Sequence, residues 1–331
     1  IEESNTVKRQ HLKYFGAGLS ELEHNNALNQ MNYLLDTFKD AKEYGSILKV
    51  NDCNWKLLRQ FISETKQKGQ ITIDTFGIEE TKEKLLRLID IGETMAQKYD
   101  VVVTNPPYMG TRGISGRLVD CINENYPNSK ADIFSVFIER GLTLTKSDRY
   151  CSMVTPESWM FITSFDKLRN VILSNYTIVS INHLGYYGFE VGFGTAAFVI
   201  IKSTLINHIG TYIDLNGNEK DLDIAFAKNN RVFVSQSNFH KLPGNPIAYW
   251  ADNDLINTFK NKRIADFGRT RQGMATSDNN RFLRFWYEVN INNIAFESEE
   301  ANSCSAKWFP YNKGGGFRKW YGTAAYVINW E

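Results

Sequence analysis

Four consecutive residues, Asn105-Pro106-Pro107-Tyr108, combine groups that can hold and activate an amino group on a planar ring. Such an amino group is a poor nucleophile, because its lone pair is delocalised into the ring. The side-chain oxygen of Asn105 and the carbonyl of Pro106 can each accept one amino hydrogen. The Tyr108 ring can stack on a planar ring such as a nucleic-acid base, which contributes about 1–3 kcal/mol. Alignment and fixed acceptors then aim the lone pair at an electrophile, and no metal is needed.

The segment before these residues predicts where they lie in the fold. Residues 100–104 read DVVVT, which is typical of a parallel strand buried on both faces. The two prolines lack amide donors and fix φ, so the chain leaves the strand along one rigid path. Ligands of α/β sheets bind at the carboxyl ends of strands, which is the position predicted for Asn105.

Helical and strand patterns alternate along the first two thirds of the chain, which predicts an α/β fold with a doubly wound sheet. Apolar residues at three- and four-residue spacing predict helices at 20–44, in two stretches within 51–98, and at 132–144. Short apolar runs predict further strands at 46–50, 150–155, 177–182 and 196–202.

Composition suggests how the chain is divided. Residues 1–205 are predicted to form one domain with a helical insertion at 51–98, residues 206–240 a connector, and residues 241–331 the beginning of a second domain. Residues 109–130 are rich in Gly, Asn, Ser and Arg without an apolar period, so a mobile surface loop is predicted there.

Length and composition limit the possible functions. The 331 residues, 42% of them hydrophobic, can bury one large core or two smaller ones. Neither a signal peptide nor an apolar run long enough to span a bilayer is present, so a cytoplasmic location is predicted. The chain begins at Ile1, which suggests a fragment. The cysteines lack paired short spacings, so neither disulfides nor a metal site is predicted: Cys53, Cys121, Cys151 and Cys304.

Charge gives a mild indication of a polyanionic partner. The net charge of the whole chain is only +1, but residues 260–331 hold eleven Lys and Arg against seven Asp and Glu.

Together with its apolar strand, the NPPY segment resembles the motif [DNS]-P-P-[YFW] of the amino-group DNA methyltransferases, and the pair Asn105 and Tyr108 resembles their adenine-N6 branch. Three longer stretches resemble later motifs of restriction and phage-defence adenine methyltransferases: KADIFSVFIERGLTL, YCSMVTPESWM and GFEVGFGTAAFVIIK. Two C-terminal stretches resemble the BREX phage-defence methyltransferases of the PglX type, a type IIG-like group: NNRFLRFWYEV and WFPYNKGGGFRKWYG.

This resemblance implies a partial Rossmann-like class I methyltransferase sheet in residues 1–205, followed by the start of an α+β DNA target-recognition domain. It implies methyl transfer from S-adenosyl-L-methionine to the N6 amino group of an adenine flipped out of double-stranded DNA. The protein would be the modification component of a phage-defence or restriction-type system. Other proteins of that system are expected partners, whereas a membrane or a metal is not.

The resemblance also assigns residues. Asn105, Pro106, Pro107 and Tyr108 would be catalytic, and Phe189, six residues before Thr195, would close the base pocket opposite Tyr108. Phe193 is the competing candidate for that role. Further residues are expected near the cofactor adenine: Gly45, Ser46 and Ile47. Fork-shaped donors and amides are expected to read base edges or phosphates: Arg269, Arg271, Gln272, Asn279, Asn280 and Arg281.

One expected part is missing from the pattern. A Gly-rich cofactor turn should follow a strand before Asn105, but FGAG at residues 15–18 follows RQHLKY, which is not strand-like. This chain alone is therefore expected to bind the cofactor weakly and to be inactive. Glu64-Thr65-Lys66 is interpreted as a helix face rather than part of a nuclease motif.

Two other functions remain open. Protein glutamine N-methyltransferases carry NPPY as well, and they perform the same amino-group chemistry on a side-chain amide. The third hypothesis is a non-catalytic DNA-binding or assembly module that keeps the methyltransferase fold.

Overall fold

The chain forms two compact units, Ile1–Asn261 and Lys262–Glu331. The computed structural model describes residues 1–65, 76–110, 113–186, 192–215, 224, 227, 231–269, 274, 276–296, 305–317, 319, 320, 322 and 324–330. The described α-helices are α1 Glu21–Thr37, α2 Ala41–Tyr44, α3 Trp55–Ser63, α4 Ile78–Ala96, α5 Gly116–Asn125, α6 Ile133–Leu144, α7 Asp166–Asn175, α8 Asn253–Thr258, α9 Ile264–Phe267 and α10 Asn279–Phe282. The described strands are β1 Tyr99–Thr104, β2 Thr145–Pro156, β3 Thr177–Gly185, β4 Thr195–Ile201, β5 Ile209–Asp214, β6 Arg231–Ser235, β7 Leu283–Phe285, β8 Trp308–Tyr311 and β9 Tyr326–Asn329.

In the described residues before β1 the regular elements are helices, and they have a core of their own. α1 begins with a capping box, in which Ser20 and Glu23 satisfy each other's backbone amides. α1, α3 and α4 pack together around the buried side chains of Leu34, Leu58 and Leu88. The predicted helices in 20–44 and 51–98 are thus confirmed.

The predicted strand at residues 46–50 is wrong. Gly45–Ile47 form one 3-10 turn, which Gly45 enters with a positive φ of 58° that a glycine tolerates best. Ile47, Leu48 and Val50 are buried against neighbouring helices rather than paired in a sheet. The apolar run therefore reflects helix packing.

The larger unit contains a six-stranded sheet with the order β1-β2-β4-β3-β5-β6. β1 and β2 are parallel, as are β3 and β5, whereas β4 is antiparallel to both of its neighbours. β5 and β6, which lie within residues 206–240, extend this sheet, and the boundary between the units follows Asn261 rather than lying near residue 241. The mixed sheet with its helices confirms the predicted α/β class.

The helix α6 packs on β1 and β2 and fixes the strands that carry the candidate site. Gly141 allows this close approach, because a Cβ atom there would lie 2.3 Å from Cε of Met153 and 3.0 Å from Sγ of Cys151. The main core continues through Trp159, which is fully buried and contacts the Phe198 ring edge-on.

β1 differs from its prediction as a strand buried on both faces. It lies at an edge of the sheet, pairs with β2, and leaves Val101 and Val103 58% and 70% exposed. Val102, on the other face, packs against the main core. The valines therefore identified the strand, but they did not reveal that one of its faces is exposed in the structure.

Residues 109–130 differ from the predicted loop as well, because α5 occupies much of this segment. The Ser115 hydroxyl caps α5 by accepting the Leu118 amide, and Ile122 is buried against Tyr126 and neighbouring apolar side chains. Because Ile122 is the buried residue of α5, the sequence of this helix shows no clear apolar period.

The smaller unit contains a three-stranded antiparallel sheet with the order β7-β9-β8. Val327 and Ile328 of β9 are its buried central residues. Across the parts of both units that the structure describes, no helix is long and apolar enough to cross a membrane.

Candidate active site

Asn105 to Tyr108 follow β1 directly, as predicted, at the carboxyl end of the strand. The Tyr108 hydroxyl donates to Oδ1 of Asn105 at 2.5 Å and lies 3.2 Å from the carbonyl oxygen of Val154 on β2. Burial raises the pKa of Tyr108, so its hydroxyl remains a donor at neutral pH. Pro106 is buried, whereas Asn105 is exposed, so the amide is accessible to a ligand.

The residues after Tyr108 are joined to the start of α6. The Met109 amide donates to Oδ1 of Asp132 at 3.2 Å, and the Met109 carbonyl accepts the Ile133 amide at 3.0 Å. The same carboxylate oxygen accepts the Phe134 amide and so caps α6. Burial is the main influence on the Asp132 carboxyl and raises its pKa. These contacts hold the end of the segment that follows Tyr108.

A cavity of about 440 Å³ opens beside the Tyr108 ring. Its aromatic lining includes Phe134, Phe161 and Phe193, and its polar lining includes Glu157. The Phe193 ring meets the Tyr108 ring edge-on, with 5.5 Å between the ring centroids and 83° between their planes. An apolar cavity with a few polar groups at one edge suits a planar heterocycle.

The cavity contains a polar group that the sequence analysis missed. Glu157 follows β2 directly, so it reaches the same edge of the sheet as Asn105 does from β1. Its Oε2 atom lies 2.5 Å from Nε2 of the buried His183, whose Nδ1 lies 2.8 Å from the Tyr249 hydroxyl. The position of Glu157 just after an apolar strand was the signal in the sequence that could have identified it.

Of the two candidates for the second aromatic wall of the cavity, the structure describes Phe193 but not Phe189. Phe193 contacts Tyr108 and lines the cavity, whereas Phe189 lies outside the described residues. The assignment of Phe189 therefore stays a prediction.

Gly45, Ser46 and Ile47 form a turn that does not belong to the described cavity lining. The Ser46 carbonyl accepts a hydrogen bond from Arg140, and the Ile47 carbonyl accepts one from the Tyr126 hydroxyl. Space is open beside the α-carbon of Gly45. A ligand could approach this turn, but its role at a cofactor stays a prediction.

The Gly-rich turn expected to bind S-adenosyl-L-methionine is not found among the described residues before Asn105. FGAG is not at the end of a strand: the Gly16 amide donates to the Phe61 carbonyl at 2.8 Å, and the Gly18 amide to Glu64 at 2.9 Å. A Cβ atom on Gly16 would lie 2.7 Å from the Phe61 ring, so this turn is glycine-rich because it packs on α3. No other Gly-rich turn follows a strand in the described residues before Asn105, because β1 is the first strand described.

The structure describes four of the six predicted DNA-contacting residues. Asn279 and Asn280 lie with Arg284, Lys313 and aromatic side chains around a cleft of about 390 Å³ in the smaller unit. Arg269 and Arg281 are exposed but are not part of that lining. The remaining two lie outside the described residues: Arg271 and Gln272. In the described part of the chain, no cluster of side chains could hold a metal ion.

Known structures resemble this fold only loosely. The nuclease-deletion mutant of the Type ISP restriction-modification enzyme LlaGI in complex with a DNA substrate mimic is 19% identical, with a TM-score of 0.37, over 54% of this chain and 20% of that one. The DrdV–DNA complex is 14% identical, with a TM-score of 0.39, over 68% of this chain and 27% of that one.

Sequence relatives are much more similar. The adenine-specific methyltransferase PglX of Lacticaseibacillus casei (strain Zhang) is 37% identical over 90% of this chain and 26% of its own length. The adenine-specific methyltransferase BrxX of Escherichia coli O9:H4 (strain HS) is 34% identical over 90% of this chain and 25% of its own length. The chain thus spans about a quarter of the length of these relatives.

These relatives confirm the predicted resemblance to methyltransferases of the PglX type. Residues 15–189, more than half of the chain, match the Eco57I restriction-modification methylase family. The matched range includes the NPPY segment, Glu157 and His183. The chain therefore belongs to the Eco57I restriction-modification methylase family.

Proposed function

We propose that the protein containing this chain transfers a methyl group to the N6 amino group of an adenine flipped out of double-stranded DNA. It would act as the modification component of a phage-defence system. The observation that carries this proposal is the NPPY segment at the carboxyl end of β1, with Tyr108 beside an aromatic cavity of about 440 Å³. The names of the two relatives, both adenine-specific methyltransferases, support the choice of base.

The amino group would be held by Asn105 and Pro106. An amide oxygen has two acceptor positions, so Oδ1 of Asn105 can keep its hydrogen bond from Tyr108 while it accepts an amino hydrogen. The Pro106 carbonyl would accept the other hydrogen. Because the Tyr108 hydroxyl donates to the Asn105 oxygen, it favours the amide orientation in which that oxygen, rather than the NH₂ group, is the acceptor.

The ring of the base would stack on Tyr108. The Phe193 ring meets the Tyr108 ring edge-on, so a base that stacks on Tyr108 would displace the Phe193 ring and then pack against it. Stacking of about 1–3 kcal/mol offsets part of the few kcal/mol that extrusion from the duplex costs. Phe193 is our candidate for the second wall, and Phe189 remains the alternative.

S-adenosyl-L-methionine, when bound, would supply the methyl group. The chain's own contribution is to hold the amino nitrogen at a fixed place and to keep its lone pair free of hydrogen-bond donors. We propose Gly45, Ser46 and Ile47 as part of the surface near the cofactor adenine, because the open space beside Gly45 admits a ligand.

DNA contacts are proposed for the smaller unit. The amides of Asn279 and Asn280 share a cleft with Arg284 and Lys313, which is a combination that suits base edges and phosphates. Additional contacts are proposed for Arg269, Arg271, Gln272 and Arg281.

The substitution Asn105→Ala in the full-length protein tests the proposal. We expect DNA binding to persist and methylation to be lost, because the variant lacks an acceptor used in the reacting geometry. Asn29→Ala, on the exposed face of α1, is a matched control that should keep wild-type activity. Undiminished N6-methyladenine in DNA treated with the Asn105 variant would contradict the assignment.

The same chemistry on a glutamine side chain is the alternative enzymatic function, since NPPY itself does not distinguish the two substrates. Incubation with radiolabelled methyl donor, DNA and a protein lysate separates them. Label that enters protein and not DNA would favour the glutamine methyltransferase. Salt-sensitive DNA binding without methylation of either substrate would favour a non-catalytic module.

A further inference from the structure

We propose that Glu157 and His183 form a positioning pair that fixes the turn bearing Phe193 at the wall of the base pocket. This inference rests on the proposed function, because it concerns how the pocket opposite Tyr108 is shaped. Neither residue is part of the NPPY segment, and they come from two different strand ends, β2 and β3.

The His183 ring connects Tyr249 in the core with Glu157 at the cavity through two hydrogen bonds. His183 is 6% exposed, and both of its ring nitrogens have partners. Burial raises the pKa of Tyr249, so its hydroxyl stays protonated beside Nδ1 of His183, 2.8 Å away. Because a carboxylate oxygen accepts, Nε2 of His183 carries a proton and donates it to Glu157. A chain of hydrogen bonds therefore runs from Tyr249 in the core through His183 to Glu157 at the cavity.

Aromatic rings enclose His183 and limit its movement. The Trp250 ring stacks on it at a centroid distance of 6.5 Å and an angle of 25°, and the Phe161 ring lies 5.9 Å away. A histidine held in this way is a rigid anchor for the carboxylate. Charge-assisted hydrogen bonds are also about twice as strong as neutral ones.

Glu157 contacts the turn before β4 through both its backbone and its side chain. Its amide donates to the Gly194 carbonyl at 2.9 Å. Its carboxylate lies directly over Gly194, where a Cβ atom would be 2.1 Å from the carboxyl carbon. A Cβ atom at residue 194 would therefore displace the carboxylate that His183 anchors, so the carboxylate position limits where the backbone of Gly194 can lie.

Phe193 is the residue immediately before this contact. Its ring lies 5.5 Å from the Tyr108 ring and is 37% exposed. With the Gly194 backbone fixed, the Phe193 ring can rotate about its side-chain torsions to admit a base while its α-carbon stays in place. The pair is thus a positioning device and need not touch the base itself.

Glu157→Gln in the full-length protein is the first test, because it keeps the size of the side chain and removes its charge. Glu139→Gln is the matched control, since Glu139 accepts a 2.6 Å hydrogen bond from Ser129 and does not line the cavity. We expect faster hydrogen–deuterium exchange at residues 192–198 in the Glu157 variant and unchanged exchange there in the Glu139 variant. This readout does not depend on activity, and equal exchange in both variants would overturn the inference.

Kinetics on DNA that the wild-type protein methylates provide the second test. Glu157→Gln should lower kcat by about tenfold with little change in DNA affinity, whereas Glu139→Gln should stay within about twofold of wild type. If wild type methylates DNA and the two variants have equal kcat, the positioning role is refuted while the proposed function stands. If wild type methylates no DNA, the proposed function fails, and the exchange experiment still decides the positioning role.

A double-mutant cycle tests whether the effect passes through Gly194. Gly194→Ala places a Cβ atom against the Glu157 carboxylate and should lower kcat by about tenfold in the wild-type background. In a Glu157→Ala background, where the carboxylate is absent, the same substitution should cost less than about twofold. Equal losses in the two backgrounds would contradict the proposed contact.

Discussion

The substitution Tyr108→Phe separates the two contributions that one side chain makes to the candidate site. The variant keeps the ring and its edge-on contacts with Phe134 and Phe193, but it loses the hydroxyl that donates to Asn105 at 2.5 Å. A neutral hydrogen bond of this kind contributes about 0.5–1.5 kcal/mol net. If this energy orients the Asn105 oxygen in the reacting geometry, its loss lowers kcat by about 2- to 12-fold.

The assay is steady-state methylation of DNA by the full-length protein, with kcat and DNA affinity measured separately. Affinity should stay near that of wild type, because the stacking surface is retained. Tyr186→Phe is the control, because Tyr186 lines the same cavity and its exposed ring has no assigned role at Asn105. An unchanged kcat for Tyr108→Phe would refute the orienting role of the hydroxyl. A loss of more than about 100-fold would refute the magnitude and indicate that the hydroxyl takes part in the chemistry.

Two further predictions concern the interior of the larger unit. Arg169 is 1% exposed and donates to the carbonyls of Trp159, Ile162 and Gly244, of which Trp159 is fully buried. Because a buried carbonyl left unpaired costs about 1–3 kcal/mol, Arg169→Met should destabilise the unit by about 1–3 kcal/mol, and a urea midpoint equal to that of a variant at an exposed arginine would contradict this. Burial raises the pKa of Cys151 to about 12, so its thiol should resist iodoacetamide at pH 8 in the folded protein and react after denaturation, as peptide mass analysis can establish.

The sequence predicted the parts of the fold that depend on local patterns. The period of apolar residues identified α1, α3, α4 and α6, and α6 begins within one residue of its predicted start. The motif at Asn105 was also recognisable, because its residue types are tied to its chemistry and a strand precedes it.

Parts of the fold that depend on tertiary neighbours were not predictable in this way. Residues 46–50 and 100–104 are both apolar, but the first run packs among helices and the second is an edge strand with one covered face. Composition reports that a side chain can be buried, and only the fold determines what covers it. Likewise, α5 is a short helix with few buried positions, so its mostly polar sequence did not show the apolar period of a helix.

The candidate site combines both kinds of information. The NPPY segment supplies the acceptors, but their placement depends on residues that are distant in the sequence. The Val154 carbonyl of β2 lies beside the Tyr108 hydroxyl, and Asp132 at the start of α6 holds Met109.

The wall of the cavity comes from a third place, where Glu157 meets Gly194 at the start of β4. The parallel pairing of β1 with β2, and the antiparallel insertion of β4 beside β2, bring the end of β1, the end of β2 and the start of β4 to one edge of the sheet. Strand order therefore decides which side chains can share a ligand here. A four-residue motif can reveal the chemistry of the site, whereas the shape of the pocket depends on the topology of the sheet.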